Sequence, residues 1–384
     1  MNPLIIIRLF VLGLVLTGSL QAAGTGDYDK RISKTFPLKN SGQLKLDNRY
    51  GTIRVETWDR EEVKIDVRIV AEADDQEAAD KIFDRISIDF SQFGGAVEAI
   101  TRIGEKKKED KGFFESIFGS SVVINFGSNG GGNDFKIHYV VQMPAAAKLT
   151  TEAKYCDVEL ADLTGDTELT VGYGDLVTGD LAGRNRVQVS YGTIRMNSFG
   201  DNSYLRLRYT EGNLDRATFL EYDGRYSELE MDYVKEIKIN AGYDEIDIEE
   251  AEIIDMDGNY NDVDLGKIGK LEYDGNYSDI NVDEIVTEVE IDSGYGDVDI
   301  ERLHKTFRRV YIRTRYADVD IDVDSGASYE VELRTRYGDI SLDRDGGSLE
   351  KESVGSSESV VGTVGSGGSA SVDISCSYGD INIY

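Results

Sequence analysis

Residues 243–259 read YDEIDIEEAEIIDMDGN, residues 260–276 read YNDVDLGKIGKLEYDGN, and residues 277–294 read YSDINVDEIVTEVEIDSG. Each stretch opens on Tyr, carries an acid two places later, and continues with apolar residues spaced by two: Ile246 and Ile248, Val263 and Leu265, Ile280 and Val282. A single apolar residue follows (Ala251, Ile268, Ile285), then a second pair (Ile254 and Met256, Leu271 and Tyr273, Val289 and Ile291). Spacing of two belongs to strands with one face inward, and nothing in the units recurs at 3.6. Two short strands joined by two or three corners predict one coil of a β-helix.

The same unit runs outward in both directions. Its Tyr stands at 155, 173, 191, 209, 226, 243, 260, 277, 295, 316, 337 and 378, in steps of 17, 18 or 21 residues and a last step of 41. A period that short, held that long, is one structural unit stacked on itself. The expectation is an all-β fold: a single-stranded parallel β-helix, or β-solenoid, of about 12 rungs of 17–21 residues over residues 151–384. Its hand cannot be read from the residues; the general preference of parallel crossovers favours a right-handed one. At Tyr209, Gly212 replaces the first inward apolar residue and predicts a bulge or thin spot. The long last step holds a Gly/Ser-rich stretch, 346–370, read as a flexible loop thrown out from an ordinary final coil.

Residues 24–150 form an expected N-terminal cap. It carries an outlying copy of the motif around Tyr50, a helix over 74–86 with Ala78, Ala79, Ile82, Phe83 and Ile86 on one face, and strands at 86–90, 97–103, 122–126 and 135–143. Such a cap covers edges and core that the first coil leaves open. Within it, the loop 104–121 joins Lys106-Lys107-Lys108 to an apolar tip. There Phe113, Phe114 and Phe118 either tuck back on the cap or touch a partner or membrane surface. Residues 1–23 read as a secretory signal, with Arg8 ahead of the apolar run Leu9–Val15 and small residues at Ala22-Ala23. No second apolar stretch is long enough to span a bilayer, so the mature chain is expected not to be an integral membrane protein.

Net charge is −31, from 73 acids against 42 bases, which argues against binding nucleic acid by phosphate neutralisation. The two cysteines, Cys156 and Cys376, fall in the first and last repeats. Stacked coils at about 4.8 Å would hold them roughly 50 Å apart, beyond the reach of a disulfide. Two free, buried or half-buried thiols are expected.

Several of these stretches together resemble a bacterial β-strand-repeat family of unknown function whose members carry the provisional name adhesin. They are Leu46-Asp47-Asn48-Arg49-Tyr50-Gly51-Thr52-Ile53-Arg54-Val55, Trp58-Asp59 with Val63, Val364-Gly365-Ser366-Gly367-Gly368, and Tyr378-Gly379-Asp380-Ile381-Asn382-Ile383. The resemblance implies a β-solenoid in the cell envelope or outside the cell, and it brings no catalytic residues.

A search of the residues for chemistry returns little. His138 and His304 are the only histidines, and neither has a partner at zinc spacing. The run Gly127–Gly132 reads as a hairpin loop, with no helix after it to cradle phosphate. The candidate site is repetitive: the position two after each repeat Tyr is acidic in eleven of twelve units, Thr193 being the exception. One reading is that each Asp caps its own turn. The other is a divalent-cation ladder in which Asp262, Asp279, Asp297, Asp318 and Asp339 hold Ca²⁺ between rungs, although the calcium repeat Gly-Gly-x-Gly-x-Asp is absent. The Tyr row divides likewise, between rings that stabilise a corner and a surface for sugar rings. Taken together, the residues predict an exported, non-enzymatic, adhesin-like or scaffold solenoid, located in the periplasm, on the outer surface or outside the cell, with a protein or glycan partner. The alternatives are a cation- or carbohydrate-binding module and a β-helix enzyme acting on polysaccharide.

Overall fold

The computed structural model describes residues 25–104, 134–343 and 347–384. The predicted signal (1–23), Phe113, Phe114, Phe118, the strand 122–126 and the run Gly127–Gly132 lie outside the described residues. The described chain is 74% strand, with one helix.

The three units that open the sequence analysis form the strands Glu245–Asn259, Asp262–Asn276 and Asp279–Ser293, paired parallel with their repeats in register. Ile246 lies on Val263 and Val263 on Ile280; Ile254 lies on Leu271 and Leu271 on Val289. All fifteen apolar positions read as inward are buried. The 18-residue step from Tyr277 absorbs its extra residue as a register shift between Ile268 and Lys270, and the corners stay aligned.

Burying five such side chains is worth roughly 8–15 kcal/mol per coil. Ordering 17 residues costs roughly 1–2 kcal/mol each, so one coil alone is unstable and the stack is the cooperative unit. At Gly212 the pairing continues unbroken from Ile194 through Gly212 to Leu229, so no bulge forms. The Leu207 side chain fills the space: a Cβ on Gly212 would lie 2.7 Å from Leu207 Cδ1.

Both ends depart from chain order. The Tyr50 strand, Gln43–Thr57, pairs parallel with Lys148–Leu160 on one side, and on the other with Ala96–Ile103 and Phe135–Met143. An early segment thus sits between two later ones. Antiparallel strands Gly26–Pro37 and Glu62–Ala73 complete this end, the latter against Phe135–Met143. The helix spans Gln76–Asp84, shorter at both ends than 74–86, because Asp75 is the N-cap (its Oδ1 accepts from Ala78 N at 2.8 Å) and Ile86 already begins the strand Ile86–Phe93. Ala79 and Phe83 are its buried residues.

At the other end the last coil of the chain is not last in space. Ala370–Ser377 pairs parallel with Arg309–Thr314 on one side and Tyr329–Arg336 on the other, and Ile381–Ile383 pairs with both Val319–Val323 and Ile340–Leu342. The Tyr378 coil is therefore inserted between the Tyr316 and Tyr337 coils. Arg313 fastens it, donating from Nη2 to Asp373 Oδ2 at 3.0 Å and from Nη1 to Asp373 O at 3.2 Å.

The Gly/Ser-rich stretch expected as a flexible loop instead carries an antiparallel hairpin, Gly347–Val354 with Ser357–Val364, whose inner strand pairs antiparallel with Tyr329–Arg336. It covers the edge that the Tyr337 coil would expose. Cys156 and Cys376 are free and buried. Burial pushes the Cys156 thiol up to about 12 and raises that of Cys376.

Because the inserted coil supplies partners to both neighbours, deleting residues 370–384 strips hydrogen bonds from two coils at once. Amide exchange is expected to lose protection over Arg309–Thr314 and over Tyr329–Arg336 together, while Glu245–Asn259 stays protected. Loss confined to 329–336 would contradict the insertion.

Candidate functional site

The repeat Tyr residues form one column along a corner of the solenoid. Thirteen rings stack in the order 50, 155, 173, 191, 209, 226, 243, 260, 277, 295, 316, 378, 337, with centroids 4.5–5.2 Å apart and planes within 20° of parallel. The column is roughly 60 Å long at the spacing of paired strands.

Twelve of these Tyr residues have φ between 51° and 66°, the left-handed region that costs a bulky residue about 1 kcal/mol or more. At the thirteenth corner Gly296 takes the positive φ (104°) in place of Tyr295. The stacking offsets the strain, because each interior ring touches two others and each aromatic pair contributes about 0.5–1.5 kcal/mol. Twelve rings are 37–52 % exposed, and what they expose is edge and hydroxyl, since neighbouring rings cover the faces. A sugar stacks on a ring face, so the interior of this row offers it none.

The acids do not cap their own turns. At six corners, where Cys, Gly, Ser or Ala stands between Tyr and Asp, the carboxylate accepts a backbone N–H from the adjacent coil. Asp157 Oδ1 accepts from Asp175 N (3.1 Å) and Asp175 from Thr193 N (2.9 Å). Asp279 accepts from Asp297 N (3.0 Å), Asp297 from Asp318 N (2.8 Å), Asp318 from Asp380 N (2.7 Å) and Asp380 from Asp339 N (2.8 Å). Asp318 and Asp339 are thus not neighbours; Asp380 stands between them. These corners are tight: a Cβ on Gly174, Gly192 or Gly379 would fall 2.0–2.1 Å from a carbonyl oxygen of the next coil.

In the middle of the stack the same task moves inside. The residue after Tyr is Thr210, Ser227, Asp244, Asn261 and Ser278 in five successive coils, all buried. Thr210 N donates to Ser227 Oγ (3.3 Å), Ser227 N to Asp244 Oδ1 (2.9 Å), Asp244 N to Asn261 Oδ1 (3.0 Å) and Asn261 N to Ser278 Oγ (3.0 Å). Sequence reasoning missed this inner ladder. Its signal was a polar residue directly after Tyr in five consecutive units where other units have mostly Gly. Burial pushes Asp244 up to about 6 against the pull of its hydrogen bonds to Ser227 N and to the Tyr222 hydroxyl (3.4 Å).

Outside the ladder, the freed acids Glu228, Glu230, Glu245, Asp247, Asp262 and Asp264 pair across coils as like charges. Partial burial and the neighbouring carboxylates raise Glu228 and Asp247 above the usual carboxylate range. Among the described residues no group of three or more His, Cys, Asp and Glu is arranged to hold a metal ion. His138 Nδ1 lies 2.9 Å from Thr52 Oγ1, and His304 Nδ1 lies 2.7 Å from Thr306 Oγ1 in a lengthened corner, far apart in the stack. The described surface has shallow, open grooves. One of about 490 Å³ runs between Tyr209, Tyr226 and Tyr243 and the carboxylates of Glu211, Glu228 and Glu245. Another, of about 500 Å³, lies over Asp47, Arg49, Glu152, Lys154 and Arg206. No helix among the described residues is long and apolar enough to cross a membrane.

The family model described as Toastrack DUF4097 matches residues 140–384, well over half of the chain. No curated protein matches it. Among solved structures, one provisionally named a cell adhesion protein, from Clostridium sporogenes, is 10% identical, with 92% of this chain and 99% of that one covered and a TM-score of 0.18. One provisionally named a lipid binding protein, from Parabacteroides distasonis, is 9% identical, with 76% and 96% covered and a TM-score of 0.28. One provisionally named an adhesin, from Bacteroides fragilis, is 11% identical, with 77% and 97% covered and a TM-score of 0.21. TM-scores of this size carry no argument about role.

Two outcomes follow from the corner. Tyr243→Ala removes two ring contacts and is expected to cost about 1–3 kcal/mol in urea unfolding. Tyr243→Gly should cost about 1 kcal/mol less than Ala, because φ is 58° there. Ala and Gly of equal stability would mean that the corner is not strained.

The second concerns Asp244. The folded chain holds its proton more tightly than the unfolded one, so stability falls as pH rises from about 4 to about 6 and the penalty persists above. Asp244→Asn, which keeps the acceptor for Ser227 N, should flatten that part of the melting-temperature profile and raise the melting temperature at neutral pH. An unchanged profile would place the titrating group elsewhere.

Proposed function

The chain belongs to the Toastrack DUF4097 family, and from that premise we propose that it is an exported, non-enzymatic solenoid of the bacterial envelope whose side wall serves as an interaction or scaffold surface. One observation carries the reading. The outward groups recur from coil to coil along a column of roughly 60 Å, a tyrosine edge beside a carboxylate, with Thr52 and Thr193 standing in the acid's place in two coils. Recognition by such a wall is spread along its length and gains by multivalency rather than by one pocket. An enzyme on a parallel β-helix needs unique residues gathered at one level. Here the outer acids recur along the column, and Asp244, an acid outside that set whose pKa burial pushes up to about 6, is buried in the inner ladder.

The cation-module alternative asks for ligands at the acid column. Several of those carboxylates already hold an N–H of the next coil through one oxygen, and a Ca²⁺ site takes six to eight oxygens. The glycan-module alternative finds the end rings occupied as well: Phe135 packs edge-on against Tyr50 (centroids 5.8 Å apart), and the Arg336 guanidinium lies over Tyr337 at 5.1 Å. Export rests on the reading of residues 1–23.

The test uses the whole chain in its host. The expected result is a shortened chain in the envelope or external fraction, lacking its first two dozen or so residues. Replacing Glu228 and Glu245 with Gln and Asp262 with Asn should release it from envelope material without lowering its melting temperature, since like-charge crowding is relieved. Calcium should leave the melting temperature of the wild type unmoved. An uncut cytoplasmic chain, or a triple variant retained like wild type, would overturn the proposal.

A further inference from the structure

Thirteen co-axial phenol rings at 4.5–5.2 Å are also a chemical arrangement. The rings are related by nearly pure translation: the planes of Tyr243 and Tyr260 differ by 1°, and those of Tyr277 and Tyr295 by 2°. Corresponding ring carbons of neighbours therefore lie about as far apart as the centroids. Each interior ring has another phenol against both faces, while its hydroxyl edge reaches water and can give up a proton there. Loss of an electron from one ring can be refilled by an identical neighbour at almost no energetic cost, so an electron vacancy made anywhere on the column can move along it.

We propose that the tyrosine column is an oxidative cross-linking seam, in which one-electron oxidants of the haem-peroxidase and hydrogen-peroxide class join axially adjacent tyrosines of one chain into dityrosines. The peroxide takes one electron and one phenolic proton from each of two rings and leaves as two waters. The two phenoxyl radicals meet on neighbouring rings and form one carbon–carbon bond between positions ortho to oxygen. Each ortho hydrogen then passes to its oxygen, restoring both phenols, and the pair has lost two hydrogen atoms in all. Bonds made this way tie each coil to the next along the exposed corner, where stacking and hydrogen bonds otherwise hold the coils together.

The other nine of the 22 tyrosines serve as internal controls. Tyr139, Tyr222, Tyr273 and Tyr329 are buried. Tyr204 and Tyr311 face guanidinium groups, of Arg186 at 4.5 Å and Arg313 at 4.0 Å. Tyr384 is 51 % exposed, within the range of the column's rings, yet is no part of the stack. Exposure and stacking thus separate within one molecule.

The inserted coil sharpens the test. Axial order places Tyr378 between Tyr316 and Tyr337, at 4.7 Å from each. Dilute full-length chain treated with peroxidase and peroxide, with monomer isolated and digested, should yield linked peptides joining Tyr316 to Tyr378 and Tyr378 to Tyr337. None should join Tyr316 to Tyr337, and Tyr384 should be several-fold under-represented. Tyr277→Phe keeps a ring in the stack but supplies no phenol, so links to Tyr260 and Tyr295 from that position should vanish while links between more distant coils persist. Dityrosine found chiefly between chains, a yield at Tyr384 equal to that in the column, or more intrachain coupling in urea-unfolded chain than in folded chain would each overturn the proposal.

Discussion

Parallel pairing in register fixes the translation from coil to coil at about 4.8 Å, and everything else in this molecule answers to that spacing. A translation repeats whatever it carries. Inward it repeats Ile, Val and Leu, and the result is a dry column that no coil could build alone. Outward it repeats polar groups, and identical neighbours at that distance are neutral for hydroxyls, favourable for flat rings and unfavourable for charges, on the order of 1 kcal/mol per adjacent pair in a water-like dielectric. The surface is therefore constrained far more than the surface of an ordinary sheet. The chain answers with tyrosine at the sharpest corner and with acids whose lone pairs do structural work. At Asp157, Asp175, Asp279, Asp297, Asp318 and Asp380 the carboxylate turns an unfavourable column of charge into charge-assisted bonds to the next coil's N–H. In the middle of the stack the buried polar residues after Tyr (Ser227, Asp244, Asn261 and Ser278) accept the bond inside, and the outer acids Glu228, Glu245 and Asp262 are left to solvent.

The same spacing explains the ends. A stack of like units frays unless its last edges are closed, and here closure is topological as well as chemical. At each terminus a coil from the wrong place in the sequence is slotted between two others, and antiparallel strands lie over the outermost one. An inserted coil cannot peel away while its outer neighbour remains paired. This arrangement has a kinetic consequence: the insertions pair residues 41 and more positions apart, so closure of the ends is expected later in folding than the local coil-on-coil pairing of the middle.

The interior of the solenoid could be read from residues because one-face burial leaves a period of two that no other element produces; Ile246, Ile248, Ala251, Ile254 and Met256 all landed where that period put them. The order of coils at the ends could not, for a physical reason. In-register parallel pairing accepts any coil with the same pattern as a neighbour, so Val372, Ile374 and Ile381 carry no mark of which two coils will flank them. The hairpin over 347–364 was hidden differently. It is an edge structure with few buried side chains, mainly Val360 and Val364, and its Gly and Ser content is what an exposed edge tolerates and also what a loop contains. The direction of the acid bonds was equally hidden. A carboxylate two places after Tyr suits a self-capped turn in any single unit, and only stacking reveals that a nearer donor belongs to the coil next door.

Tyrosine at a left-handed corner looks at first like a local error, since glycine fits that backbone without strain. The answer lies in which quantity the stack optimises. A glycine corner lowers strain within a coil but contributes nothing between coils, and it widens the unfolded ensemble. A tyrosine corner accepts about 1 kcal/mol of strain once and gains contact on both faces. The gain depends wholly on a neighbour being present, so it acts as a coupling term between coils rather than as stability within one. In a quasi-one-dimensional fold, cooperativity is set by such coupling. Gly296, with its φ of 104°, shows that the chain can satisfy this corner with glycine while the Tyr295 ring keeps its place in the column. What is held fixed along the whole length is therefore the ring and its two neighbours, and the backbone conformation is adjusted to deliver it.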